Sequence, residues 1–182
     1  MPPQPRTART PQSPDSSTVR RTVKLLLIDP SDRLLLIHAK DPQTNAECWY
    51  PVGGGIEPGE TIHSAATREA YEETGLTALP PGTVVWRRDH VYEYAGRRVD
   101  VHEEWLLHRV DHFTPRPTAL TAHESRTILG FNWWTAPALT RTTSTVFPPS
   151  IGPLLTTLLT NGTPTIPIDI TDTSATRAYA PG

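Results

Sequence analysis

The 182-residue sequence contains a single cysteine, Cys48, so it has no second thiol with which to form an internal disulfide. It also lacks long hydrophobic runs. Its most apolar stretches, residues 25–28 and 34–37, have the length of strands and fall far short of the ~20 residues that cross a bilayer. The first 18 residues contain no apolar segment typical of a signal peptide. These absences predict a soluble, cytoplasmic protein without a membrane anchor.

The chain also lacks a strong excess of charge of either sign. Its 17 basic and 19 acidic residues give a formal net charge of −2. A protein with this balance has no electrostatic reason to bind nucleic acid or an anionic membrane non-specifically. The composition therefore gives no signal for a nucleic-acid or membrane partner.

Proline is abundant, with 20 residues, and many of these lie near the two ends of the chain. Residues 1–18 contain too few apolar side chains to offset the entropy of ordering, which predicts a disordered arm. Residues 19–162 are predicted to form one folded domain. Residues 163–182 are predicted to be an extended or disordered tail, in which alternating isoleucines lie along the body of the protein.

The middle of the chain predicts interleaved strands and helices without the regular βαβ repeat of a dinucleotide-binding fold. The predicted class is therefore α+β. A hairpin is expected at 23–38 and a short segment at 49–52, followed by a glycine-rich loop, a helix at 61–74 that ends at Gly75, two long strands at 84–94 and 98–110, a short strand at 131–134, and a closing helix at 150–159.

Three glutamates in the predicted helix carry the strongest chemical signal. Glu69, Glu72 and Glu73 are spaced so that their carboxylates project from one face within about one turn. Ala65 and Ala66 fall on the same arc of the helix, so this acidic face also points toward the sheet. Clustered, partly buried carboxylates need a compensating cation, and oxygen ligands favour Mg²⁺ or Mn²⁺ over zinc.

The glycines that precede the helix fit the same interpretation. Gly53, Gly54 and Gly55 allow the backbone to approach closely, offering carbonyls to a cation or amides to a phosphate. Glu60 and Arg68 are spaced to form an ion pair across the junction between loop and helix. Their predicted role is structural, because the pair would hold the loop against the helix.

Together these residues resemble the Nudix box, whose pattern is G-x5-E-x7-R-E-U-x-E-E-x-G-U with U a bulky apolar residue. Only Ala70 departs from the pattern, being small for its position. The matching positions in this sequence are Gly54, Glu60, Arg68, Glu69, Glu72, Glu73, Gly75 and Leu76.

The resemblance implies an α/β/α sandwich around a mixed β-sheet, and attack of water on a phosphorus of a nucleoside diphosphate linked to another group. It implies that Glu69, Glu72 and Glu73 bind the metal and that the Gly54 carbonyl is a further ligand. Either Glu69 or a glutamate outside the box takes the proton from water. Glu103 and Glu104 are the candidates outside the box, and Glu104 is favoured because a glutamate followed by an aromatic residue resembles the family pattern.

The predicted hairpin at 84–110 offers further substrate contacts. Four arginines that flank the hairpin are candidates to bind phosphates, namely Arg87, Arg88, Arg97 and Arg98, with Arg87 and Arg97 favoured. Arginines on a hairpin edge also protect it from strand pairing. In part of the Nudix family a tyrosine near the place of Tyr92 accompanies diadenosine polyphosphate substrates. A cross-strand aromatic contact is the simpler interpretation of Tyr92.

The sequence thus predicts a Mg²⁺- or Mn²⁺-dependent Nudix hydrolase acting on a nucleoside triphosphate, dinucleotide or nucleotide sugar, with a homodimer as the candidate assembly. A non-catalytic Nudix-like domain that senses nucleotides is the alternative function. An isomerase of isoprenoid diphosphates would need a nucleophilic Cys48, for which a packed thiol is the favoured interpretation.

Overall fold

The structure is a computed structural model that describes residues 19–41, 44–94, 97–122 and 124–171. The side chains of residues 92–94 and 97 also lie outside this description. The predicted arm at 1–18 and the part of the predicted tail beyond residue 171 fall outside it as well.

Strands and helices alternate along the chain much as the sequence predicts, with three elements that it did not predict. The new elements lie at residues 124–127, 136–141 and 168–169. In chain order, the elements are β1 (Arg20–Ile28), β2 (Arg33–Lys40), β3 (Glu47–Pro51), α1 (Ile62–Thr74), β4 (Thr83–Tyr94), β5 (Arg97–Arg109), α2 (Glu124–Thr127), β6 (Ile128–Thr135), α3 (Ala136–Arg141), α4 (Ile151–Asn161) and β7 (Ile168–Asp169).

The strands form one mixed sheet in the order β3-β2-β1-β5-β4-β7, with β6 also paired to β2. β1 and β5 run parallel, whereas β4 and β5 form the long antiparallel hairpin. β1 and β2 pair antiparallel beside their connecting turn, at Ile28 and Leu34, and the glycine loop lies along β1 beyond that point. Val23 N donates to Gly54 O at 2.9 Å and Leu25 N to Val52 O at 2.8 Å. The sheet itself therefore positions the glycine loop.

Helices cover both faces of the sheet. On one face, Ala65, Ala66 and Ala70 of α1 pack in a buried cluster with alternate residues of β1 and β5, among them Val23 and Leu106. A second buried cluster on the opposite face joins the intervening strand residues to α3 and α4. The predicted α+β class, with an α/β/α sandwich around a mixed sheet, is confirmed.

α1 begins and ends where the sequence predicts. Thr61 caps its first turn by accepting a hydrogen bond from Ser64 N, and the Ser64 side chain accepts one from Thr61 N in return. Gly75 ends the helix in the left-handed conformation at φ 75°. These caps fix the helix register and therefore the direction in which its glutamates point.

The segment after α4 returns to the sheet as the short strand β7. Trp86 and Arg87 of β4 pair with Ile168 and Asp169 in parallel, and Asp89 N donates to Thr171 Oγ1 at 2.8 Å. Two residues are too few for an alternating pattern to predict a strand. Its position depends on the β4 edge to which it pairs.

Cys48 is buried in the core cluster beneath α1, as expected of a packed thiol. In the described part of the chain, no helix is long and apolar enough to span a membrane.

Candidate active site

A side chain at either of the two glycines that begin the loop would collide with a neighbouring atom. Gly53 has φ 134°, and a Cβ there would collide with the Val23 carbonyl oxygen. A Cβ on Gly54 would lie 2.5 Å from Glu69 Oε1. The loop therefore needs glycine for its backbone conformation at one position and for contact with a carboxylate at the next.

Glu73 is the most deeply buried of the three helical glutamates, with 4% of its surface exposed. Gly53 N donates a hydrogen bond to Glu73 Oε2 at 2.8 Å. Burial raises the pKa of Glu73 to about 8, the Gly53 hydrogen bond opposes the rise, and the charge of Glu69 adds to it. Glu73 is thus a carboxyl group that a nearby cation would convert to its charged form.

Glu69 lies between Gly54 and Arg68 and is also buried. Burial raises its pKa, while the hydrogen bond from Arg68 Nη1 at 2.8 Å and the charge of Arg68 oppose the rise. Glu72 is half-buried, and its Oε2 accepts from the same Nη1 at 3.1 Å. The structure therefore brings Glu69, Glu72 and Glu73 to the inner side of α1, facing the glycine loop.

Arg68 connects the loop to the helix. Its Nε and Nη2 donate to the two oxygens of Glu60, both at 2.9 Å, and Nη2 also donates to Gly55 O at 2.8 Å. The Arg68 hydrogen bonds, followed by one from Glu57 N, lower the pKa of Glu60 to about 2. The predicted Glu60–Arg68 pair is present, and the additional bonds to Glu69 and Glu72 were not foreseen from the sequence.

The donor set fits a hard divalent cation. The carboxylates of Glu60, Glu69 and Glu72 contact one guanidinium, and Glu73 lies close enough to Glu69 for its pKa to respond to that charge. Oxygen ligands with excess negative charge suit a hard divalent metal ion. Among the described residues, no group of three acidic, histidine or cysteine side chains is already arranged to hold a metal ion. At this site Arg68 Nη1 lies between the carboxylates of Glu69 and Glu72 and bonds to both.

Glu103 and Glu104 project from opposite faces of β5, as expected for neighbours in a strand. Glu104 pairs in register with Val23, which lies beside Gly54, and it shares the α1 face of the sheet with Leu106. Two strand spacings of ~4.8 Å place its backbone roughly 10 Å from Gly54. Glu104 is therefore on the same side of the sheet as the helical carboxylates.

Glu103 points to the other face and is buried. Its oxygens accept from Trp105 Nε1 at 3.1 Å and contact His90 Nε2 at 3.2 Å. Burial alone would raise its pKa, but His90, Lys24 and Arg88 together lower it below its usual range. Glu103 thus belongs to a buried polar network away from α1.

The predicted phosphate-binding arginines differ in their surroundings. Arg87 is about half exposed, and its Nε donates to Glu104 Oε2 at 3.1 Å. Arg88 is mostly buried beside Glu103, and Arg98 is paired with Asp100. The side chains of Arg97 and Tyr92 lie outside the described residues.

One acidic residue near the cluster was missed in the sequence. Glu124, the first residue of α2, lies close enough to raise the pKa of Glu73. Its Oε2 accepts from Thr121 N at 2.7 Å. No local pattern predicted this proximity, because Glu124 is 51 positions from Glu73 and the chain between them includes the whole β4–β5 hairpin.

The chain is similar to known proteins in both sequence and fold. An RNA pyrophosphohydrolase from Novosphingobium aromaticivorans is 29% identical over 126 residues, covering 63% of this chain and 76% of that protein. A putative 8-oxo-dGTP diphosphatase from Bacillus subtilis is 37% identical over 54 residues, 30% of this chain and 34% of that protein. The crystal structure of a MutT protein from Methanosarcina mazei Go1 superimposes with a TM-score of 0.61 at 18% identity, covering 80% of this chain and 96% of that chain.

A family model described as NUDIX domain matches residues 18–154. That range contains the glycine loop, α1 and the β4–β5 hairpin. Nudix hydrolases generally use divalent metal ions. Because the match covers most of the chain, the protein belongs to the Nudix family of hydrolases.

Proposed function

We propose that the protein hydrolyses a diphosphate linkage in a nucleoside diphosphate joined to another group, using Mg²⁺ or Mn²⁺. The observation that carries the proposal is the burial of Glu69 and Glu73 against the glycine loop. Among the described residues, the guanidinium that contacts these helical glutamates is that of Arg68. Buried carboxylates with raised pKa values are costly unless a cation joins them.

The ligands proposed for the metal are Glu69, Glu72 and Glu73, with Gly54 O as a further oxygen. Gly54 O already accepts from Val23 N, so it would bind through its second lone pair. Arg68 Nη1 would exchange its bonds to Glu69 and Glu72 for the cation while keeping Glu60 and Gly55 O. Arg68 would then hold the loop in place during turnover.

A bound divalent cation supplies charge stabilisation to the phosphoryl oxygens and lowers the pKa of the attacking water. Glu104 is proposed to accept the proton of that water, since it lies on the α1 face of the sheet and remains near the cluster. Arg87, held by Glu104 and half exposed, is proposed to bind a phosphate oxygen. Glu124 is a second candidate for the proton acceptor because of its proximity to Glu73.

The substrate classes to be tested are nucleoside triphosphates, dinucleotides and nucleotide sugars. The names of the two relatives, an RNA pyrophosphohydrolase and a putative 8-oxo-dGTP diphosphatase, add RNA that carries a pyrophosphate group and 8-oxo-dGTP. All contain a diphosphate bonded to a nucleoside, which is the part that the glycine loop and α1 would recognise. The attached group would be selected elsewhere in the site.

The test is phosphate and pyrophosphate release from this panel in Mg²⁺, in Mn²⁺ and in a chelator. Glu73→Gln is the active-site variant, and Asp111→Asn, at an exposed position, is the matched control. Metal-dependent turnover that falls by at least ~10²-fold in Glu73→Gln alone is expected. Nucleotide binding without turnover on any member would instead favour the non-catalytic sensor.

A further inference from the structure

A cleft opens on the sheet next to Glu104, on the face that α1 covers. Its volume is about 550 Å³, and its walls come from the ends of β1, β4 and β5. The charged or titratable side chains that line it include Arg21, Asp89, Asp100 and His102. His102 lies two residues before Glu104 in β5 and so projects from the same face.

His102 sits between two carboxylates. Its Nδ1 is 2.6 Å from Asp89 Oδ1, and its Nε2 is 3.5 Å from Glu104 Oε1. Asp89 and His102 are cross-strand partners, and Arg87 pairs with Glu104 two residues along the same hairpin. The β4–β5 register therefore sets the order Asp89, His102, Glu104 and Arg87.

The short contact with Asp89 determines how the imidazole is used. An ionised carboxylate only accepts hydrogen bonds, so Nδ1 must carry a hydrogen and donate it to Asp89. In the neutral ring, Nε2 then presents a lone pair toward Glu104. Asp89 would stabilise the imidazolium formed if Nε2 gains a proton.

We propose that His102 is a positioning residue for hydrolysis, oriented by Asp89, that aligns Glu104 and receives the proton Glu104 takes from water. This inference rests on the proposed function and on Glu104 as the proton acceptor. The water oxygen bonds to phosphorus as its proton moves to Glu104. The bonding pair of the cleaved P–O bond leaves with the departing phosphate oxygen. Glu104 then passes its proton to His102 Nε2, and the imidazolium returns it to solvent through the open cleft.

Other charged groups surround the pair. Arg87 donates to Glu104 Oε2, and Arg21 and Asp100 line the same cleft. On β7, the pKa of Asp169 is lowered mainly by hydrogen bonds from Thr171 and to a smaller extent by the charge of His102. His102 thus lies among acidic groups of β4, β5 and β7.

The kinetic test compares His102→Ala and His102→Gln with His63→Gln, which changes an exposed histidine of α1. His102→Ala is expected to lower kcat about tenfold or more with KM nearly unchanged. His102→Gln keeps a polar group facing Glu104 but cannot accept a proton, so its kcat should also fall. Added imidazole should restore part of the kcat of His102→Ala and none of that of Glu104→Gln.

A second measurement needs no turnover. Nitrogen-15 spectra of the imidazole ring of His102 in the nucleotide-free protein should show the Nδ1–H form when the ring is neutral. Asp89→Asn should alter the Nδ1 signal, and Glu104→Gln should alter the Nε2 signal. If the ring signals of His102 were unchanged in both variants, the proposed alignment would be overturned.

The outcomes separate the two proposals. Turnover that stays normal in His102→Ala, changes only in KM, or is not rescued by imidazole would overturn the role of His102 and leave the hydrolase intact. A wild-type protein that cleaves no member of the panel would overturn the proposed function, and this inference with it.

Discussion

Gly53 N donates a 2.8 Å hydrogen bond to Glu73 Oε2 and so ties the glycine loop to the last turn of α1. This bond opposes the rise in the pKa of Glu73 that burial causes. The loop and the helix also meet through Arg68, which donates to Glu60 and to Gly55 O. The relative positions of backbone and carboxylates are therefore fixed before any ligand binds.

Glu73→Gln should stabilise the metal-free protein at alkaline pH. The folded pKa of Glu73 is about 8, above its ordinary value of 4.5, so the folded state binds this proton more tightly than the unfolded state. The stabilising contribution is complete below pH 4.5 and is lost as the pH rises to about 8. Thermal unfolding in a chelator should show the variant more stable than wild type at pH 8, by up to a few kcal/mol. Equal differences at about pH 5 and about pH 8 would contradict the raised pKa.

Mg²⁺ should raise the unfolding temperature of the wild-type protein at about pH 8, where Glu73 loses its proton. A cation that binds only the folded state contributes about 2.7 kcal/mol at a concentration roughly 100 times its Kd. For a chain of this size each kcal/mol corresponds to roughly 2–4 °C. The shift should be much smaller in a Glu69→Gln, Glu73→Gln double variant and unchanged in Asp111→Asn. An equal shift in all three proteins would place the cation elsewhere.

Gly54→Ala and Gly53→Ala should have different effects. A Cβ introduced at position 54 would meet the carboxylate end of Glu69, which can rotate away, so the protein should fold but lose metal affinity and activity. At position 53 the Cβ would meet the Val23 carbonyl of β1 at a positive φ, so the loss should be in stability, on the order of 2 kcal/mol or more. Metal titration and thermal unfolding of both variants distinguish the two cases.

Glu60→Gln should make the stability of the folded protein less dependent on pH in acid. Hydrogen bonds with Arg68 lower the pKa of Glu60 from 4.5 to about 2. Stability from this pair is present above pH 4.5 and is lost as the pH falls through about 2. Denaturation midpoints measured between about pH 5 and about pH 2 should depend less on pH in the variant than in wild type. An identical pH dependence in the two proteins would show that the pKa of Glu60 is the same in the folded and unfolded states.

The sequence predicts the elements whose signals are local. The limits of α1 follow from Thr61 and Gly75, and its inward acidic face follows from the spacing of Glu69 and Glu73 relative to the helix alanines. In the structure those glutamates are buried, as that arc requires. Helical periodicity and helix capping depend only on residues that are near in the sequence, so they can be inferred without the fold.

Contacts between distant segments are not encoded in this way. Glu124 lies near Glu73, and His102 lies between Asp89 and Glu104, only because of the sheet order and the pairing of β4 with β5. A change of one residue in that register would send Asp89 and His102 to different partners. The sequence identified Glu104 as a candidate but contained no sign of the imidazole beside it.

The strand β7 has a practical consequence for anyone who shortens this protein. The family match ends at residue 154, and a chain cut soon after α4 would remove the residues that pair with β4 at Trp86 and Arg87. The exposed edge of β4 would then present unpaired amides and carbonyls to other molecules, which promotes aggregation. It would also loosen the strand that carries Arg87 and Asp89. Such a trimmed protein would be a poor reagent for comparing substrates, even though Glu60, Glu69, Glu72 and Glu73 would all still be present.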